Sequence, residues 1–141
     1  LNLKNKKINA LLINARNANA FTGKKGYQGL KELAYELHKI KMLKIKIAYF
    51  GTLEKMKCLN EIMEEHNFKP EEIAYCGDDL PDVPVLEYVG LSFCPADSPN
   101  YIKNVVDHVT EVPGGKGVFR EMAEIVLTAQ NKIKDLINEF K

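Results

Sequence analysis

Ile73-Ala74-Tyr75-Cys76-Gly77-Asp78-Asp79-Leu80-Pro81-Asp82 is the stretch on which the fold turns. An apolar run of four residues leads into a glycine and then into three acids within five positions. That is the form of an apolar strand that ends in a tight polar turn. Downstream, Val83 to Val89 reads as a helix with Gly90 at its end, and Leu91-Ser92-Phe93-Cys94 as the next strand. Pro95-Ala96-Asp97-Ser98-Pro99 follows as a loop, then a short helix from Tyr101 to Val106 and a last short strand near His108-Val109-Thr110. A turn, Gly114-Gly115-Lys116-Gly117, precedes one terminal helix carrying Phe119, Met122, Ile125, Val126, Ile133, Leu136 and Ile137. Upstream, Ala10-Leu11-Leu12-Ile13 is a short apolar strand, and Gly23-Lys24-Lys25-Gly26 a loop before a helix over about 28 to 40. Ile45 to Phe50 is a strand stopping at Gly51-Thr52, and Met56, Leu59, Ile62 and Met63 mark an amphipathic helix that ends before the turn Lys69-Pro70-Glu71-Glu72. Strands alternating with helices predict an α/β fold, a parallel sheet with helices on both faces and no separate cap domain evident.

The chain of 141 residues, 45% hydrophobic and 28% charged, suits one compact domain with a single core. No apolar run reaches the roughly 18 residues of a membrane span, and the lysine-rich start lacks the apolar core of a secretory signal, so a cytoplasmic protein without a membrane partner is expected. Cys58, Cys76 and Cys94 form no Cys-x-x-Cys pair and read as reduced, buried thiols rather than a disulfide framework or zinc ribbon. Residues 1 to 50 hold 11 Lys/Arg and 2 Asp/Glu, whereas residues 51 to 141 hold 9 and 17. No aromatic residues interleave with the early lysines as stacking platforms, so that excess reads as a solvated face and not as a nucleic-acid surface. The first aspartate in the chain is Asp78.

In parallel sheets ligands collect beyond the carboxyl ends of the strands, so the residues following each strand belong together. They are Asn14 and Arg16, then Thr52 and Lys55, then Asp78, Asp79 and Asp82, then Asp97. Three aspartates on one tight turn repel one another unless a cation offsets them, and oxygen-only ligands suit Mg²⁺. A purely structural alternative has Asp78 and Asp79 in an Asx-turn and Asp82 capping the helix after Pro81. His38, His66 and His108 lack partner spacing and read as structural.

The stretch from Tyr75 to Leu86, then Val89-Gly90-Leu91-Ser92, Pro95-Ala96-Asp97 and Gly114-Gly115-Lys116-Gly117-Val118-Phe119-Arg120-Glu121, resembles the haloacid dehalogenase superfamily. Within it, the similarity is to the branch of 3-deoxy-D-manno-octulosonate 8-phosphate phosphatases and related enzymes of sialic-acid pathways, over about residues 43 to 131. The resemblance implies a Rossmann-like fold and a Mg²⁺-dependent phosphatase, in which an aspartate attacks phosphorus and a phospho-aspartyl intermediate is hydrolysed. It implies Asp78 as metal ligand, with Asp79 and Asp82 as supporting carboxylates that orient metal-bound water or the lysine. Lys55 matches the lysine that neutralises the phosphoryl group, and Asn14 and Arg16 the phosphate-binding turn. The resemblance also implies that Lys116 and Arg120 lie toward the active-site side, to meet a substrate carboxylate or a neighbouring chain. The expected substrate is the phosphate monoester of an acidic eight- or nine-carbon sugar, and the expected assembly, by the same resemblance, a homotetramer.

One departure is large: the family's nucleophile and general acid stand in an Asp-x-Asp motif after the first strand, and this chain has no aspartate before Asp78. Either residues 1 to 20 correspond to the family's second motif, the first strand and catalytic motif being missing from the domain, or they are a decayed first motif with Ala15 and Asn17 in place of the acids. Arg16 and its preceding strand favour the former. A catalytically silent module of the same fold, serving oligomerisation or regulation as at the end of some sialic-acid-activating cytidylyltransferases, is the alternative to an active phosphatase.

Overall fold

A computed structural model of the chain describes residues 10–13 and 53–138. The helix expected over 28 to 40, the strand over 45 to 50, and Asn14, Arg16 and His38 lie outside the described residues. The chain divides into two compact units, residues 1–14 with 54–141 and residues 15–53. The first is the one described below.

Its elements alternate as the apolar runs dictate: β1 (Ala10–Ile13), α1 (Lys55–His66), β2 (Ile73–Cys76), α2 (Val83–Leu86), β3 (Leu91–Cys94), α3 (Asn100–Lys103), β4 (His108–Val109), α4 (Val118–Ala129) and α5 (Ile133–Asn138). The four strands form one sheet in the order β1-β2-β3-β4. All three pairings are parallel, with Leu12 opposite Tyr75, Cys76 opposite Phe93, and Phe93 opposite His108. Every residue of β2 and β3 is buried, as continuous apolar strands covered on both sides must be.

The two-residue period of the strand sorts these side chains into two cores. Ala74, Cys76, Leu91 and Phe93 pack with Val118, Met122 and Val126 of α4. Ile73, Tyr75 and Cys94 pack on the opposite side with Leu59 of α1, Val85 and Leu86 of α2, and Ile102 of α3. Helices therefore cover both faces of the sheet, and the α/β expectation is met.

Several boundaries differ from the sequence reading, each for a local reason. The helix expected from Val83 to Val89 begins at Val83, directly after a 3₁₀ turn over Leu80–Asp82, and closes at Leu86. Gly90 is not an αL cap: a Cβ there would sit 2.5 Å from the carbonyl oxygen of Glu71, so glycine lets two backbones touch, and the Gly90 N–H donates to the Pro70 carbonyl. The helix expected over Tyr101 to Val106 is one turn, Asn100–Lys103. The single terminal helix is two, because Asn131 adopts φ 57° and the Lys132 N–H reaches back five residues to the Leu127 carbonyl, a left-handed helix stop. Cys76 and Cys94 are buried, Cys58 is half-buried, and none of the three is in a disulfide.

Candidate active site

Beyond the carboxyl end of β2 the chain turns through Gly77, Asp78 and Asp79, and the three acids of that loop take three different environments. Asp82 is fully buried. Its Oδ1 accepts from the Lys55 ammonium at 2.5 Å and from the Tyr75 hydroxyl, while Oδ2 accepts from the backbone N–H groups of Asp78 and Asp79, each at 3.1 Å. A buried carboxylate supplied in this way is stable because an ammonium and hydrogen-bond donors replace the water it has lost. Asp79 is exposed, and its Oδ1 accepts from the Leu80 N–H at 2.8 Å, capping the 3₁₀ turn. Asp78 is half-buried between them, its peptide held by Asp82.

Lys55, at 15% side-chain exposure, supplies Asp82 with a positive counter-charge, in keeping with the role of a carboxylate that orients the lysine. The capping alternative is corrected: the N-terminus of α2 receives no side-chain hydrogen bond from Asp82. With the oxygens of Asp82 engaged by donors and Asp79 acting as a cap, Asp78 is the acid of the loop suited to a metal. Among the described residues no group of three or more His, Cys, Asp or Glu is arranged to hold one. A single hard carboxylate still fits Mg²⁺, which keeps several waters and takes few ligands from the protein.

Gly77 and Tyr75 are the two contributors that the sequence reading passed over. A Cβ on Gly77 would lie 2.4 Å from the Asp82 Cβ and 2.5 Å from its Cγ, so glycine is what lets the carboxylate tuck beneath the loop. Tyr75 reads from sequence as one more core residue of β2. Its signal was the strand period, which places it on the α1 side, seven residues ahead of an acid that turns back toward it. Burial first, and Asp82 beside it second, push the Tyr75 phenol well above its ordinary value, so the hydroxyl stays a donor.

The other strand ends meet on the same edge. The Asp97 carboxylate, after β3, accepts from the Gly114 N–H at 2.8 Å, and the Ala96 N–H donates to the Val112 carbonyl. These bonds tie the loop after β3 to the glycine turn after β4, where Gly115 and Gly117 have φ of 73° and 106°. Lys116 stands exposed on that turn. Arg120 lies in the first turn of α4, its guanidinium paired with Glu124 at 2.8 Å along the outer helix surface. The structure thus brings Lys55 and Asp82 together with Asp78 and Asp79 on one loop, while Lys116 and Arg120 occupy the neighbouring turn and helix. Asn14 and Arg16 are outside the described residues.

A parallel sheet carrying an acidic loop after one strand and a lysine from the preceding helix defines a class. The family model of haloacid dehalogenase-like hydrolases matches residues 2–122, and the chain belongs to that family. Among individual relatives, it is 46% identical over 90 residues to the 3-deoxy-D-manno-octulosonate 8-phosphate phosphatase of Haemophilus influenzae, covering 64% of this chain and 50% of that protein. The enzyme of the same name from Escherichia coli K12 is 39% identical over 87 residues, 62% of this chain and 46% of its own. The chain spans about half the length of the curated relatives it matches. Among solved structures, the cobalt-bound deoxy-D-mannose-octulosonate 8-phosphate phosphatase of H. influenzae superposes with a TM-score of 0.73 at 31% identity, over 94% of this chain and 93% of that one. The Moraxella catarrhalis phosphatase, in complex with magnesium, phosphate and the sugar acid, shares the fold with a TM-score of 0.83 at 22% identity, over 99% and 97%.

Proposed function

We propose that this chain is a Mg²⁺-dependent phosphatase domain that acts on the phosphate monoester of an acidic eight- or nine-carbon sugar. The observation that carries the reading is the Lys55–Asp82 pair set beside Asp78, at the carboxyl edge of a parallel sheet. Phosphoryl transfer depends on positioning and on neutralising the charge of the phosphoryl oxygens, and these residues are of the types that do both. Lys55 brings a positive charge whose direction is set by Asp82. Asp78 is the carboxylate that would hold the metal, and the ion when bound supplies charge neutralisation at the phosphoryl oxygens. The cobalt-bound relative at 31% identity supports a divalent metal. Asp79 acts by shaping the turn. Lys116 and Arg120 are assigned to the sugar carboxylate, Asn14 and Arg16 to the phosphate, and a homotetramer is the assembly that the family resemblance implies.

The silent-module reading draws on one observation, that no aspartate precedes Asp78 to act as the family's nucleophile. The phosphatase names of the relatives weigh against it, as does the costly buried ion pair. Phosphate release from 3-deoxy-D-manno-octulosonate 8-phosphate, with Mg²⁺ and with excess chelator, separates the two. Turnover that disappears with chelator and in Asp78→Asn supports the phosphatase and shows that another group attacks phosphorus; a folded chain without turnover supports either the silent module or a domain that lacks the family's first strand and catalytic motif.

A further inference from the structure

The Asp82 carboxylate has two tasks that conflict during turnover. One oxygen holds Lys55, which must release part of that bond when a phosphate arrives; the other holds the N–H groups of Asp78 and Asp79 and so sets the loop that carries Asp78. A carboxylate tethered on one side by a lysine alone would be free to turn once the lysine changed partner. The Tyr75 hydroxyl donates to the same oxygen as Lys55. It comes from a rigid element, since Tyr75 lies in β2, is 7% exposed and packs among Leu59, Val85 and Ile102.

We propose that Tyr75 is a positioning residue: its hydroxyl pins the Asp82 carboxylate so that Lys55 can swing to an anion while Asp78 and Asp79 keep their place. The phenol suits the task because burial keeps it protonated, a neutral donor that does not compete for the anion. The inference builds on the proposed function but is tested independently of it.

The variant is Tyr75→Phe in the full chain, which removes one oxygen and keeps the packing, with Tyr101→Phe at an exposed position as control. Backbone amide exchange is measured with and without Mg²⁺ and inorganic phosphate. Exchange at the Asp78 and Asp79 amides should rise about tenfold in Tyr75→Phe, and more with phosphate present, while the Gly77 amide, bonded to the Phe93 carbonyl, stays protected. With the sugar phosphate, kcat should fall about ten- to hundredfold and KM stay within about threefold, the pattern of a misplaced group and not of lost binding. A folded Tyr75→Phe with unchanged exchange at Asp78 and Asp79 overturns the proposal, whatever its activity. An inactive parent chain counts against the phosphatase reading alone, and the exchange result then decides the role of Tyr75. If Tyr75→Phe does not fold, the parent decides: a slowly exchanging Tyr75 hydroxyl proton in its NMR spectrum supports the pin, and a rapidly exchanging one refutes it.

Discussion

Replacing Asp82 with asparagine tests the site as a physical object, because the change keeps the shape and removes only charge and one acceptor. Both orientations of the amide fail. With its oxygen toward the Asp78 and Asp79 N–H groups, the NH₂ faces the Lys55 ammonium and the Tyr75 hydroxyl; reversed, the NH₂ faces the two backbone N–H groups. In the first case a lysine with 15% side-chain exposure is left without its counter-charge. Breaking a buried pair from one side costs about 3–5 kcal/mol, a sizeable part of the stability of an ordinary domain. For a chain of this size that is a fall of roughly 10–20 °C in Tm. Urea unfolding of the parent, Asp82→Asn, Lys55→Met and the double variant measures it. The double variant should recover about 2 kcal/mol relative to the sum of the singles, because removing the lysine removes the stranded charge. A loss below about 1 kcal/mol in Asp82→Asn, with no coupling to Lys55→Met, would refute the reasoning.

Gly77→Ala forces a methyl group to within 2.4 Å of the Asp82 Cβ, and is expected to cost about 2–3 kcal/mol in denaturant unfolding and to loosen the Lys55–Asp82 pair. Asn131→Gly should raise stability by a few tenths to about 1 kcal/mol, and Asn131→Ala should lower it by about as much, since the helix stop holds φ at 57°. Stability should decline at alkaline pH: burial pushes the Cys76 thiol up to about 12 and raises Cys94 as well. Above pH 9 the unfolded chain gives up these protons while the folded chain retains them, so the contribution is complete below the ordinary thiol value and is lost as pH rises toward 12. A flat stability profile from pH 8 to 11 would contradict this. With the same burial, native Cys76 should resist a thiol reagent at pH 8 that reacts readily after unfolding.

The sheet was legible because β2 and β3 are short apolar runs bounded by glycine and proline, and a parallel sheet covered on both sides has little else to build on. The faces were legible from the strand period, which sends Ala74 and Cys76 one way and Ile73 and Tyr75 the other. What escaped was decided by three-dimensional closeness. Asp78, Asp79 and Asp82 are the same residue type within five positions, yet one is half-buried, one exposed and one fully buried; only the turn of the loop beneath Gly77 distinguishes them. The break at Asn131 was hidden because apolar residues continue into the last helix, so periodicity alone carried the prediction across it. The pair of Lys55 with Asp82 joins residues 27 positions apart, a separation that no local pattern records and that only the family resemblance reached, through a carboxylate that orients the lysine.

The donors around Asp82 come from α1, from β2 and from the loop itself, so its charge is compensated only when all three have docked. A chain with the sheet formed and α1 still loose would enclose a naked carboxylate, an unfavourable state to dwell in. The residue that would aim the chemistry is therefore also a checkpoint on assembly. In a living cell, loss of Asp82 should show first as less protein, removed by quality control, and only among the surviving molecules as less turnover.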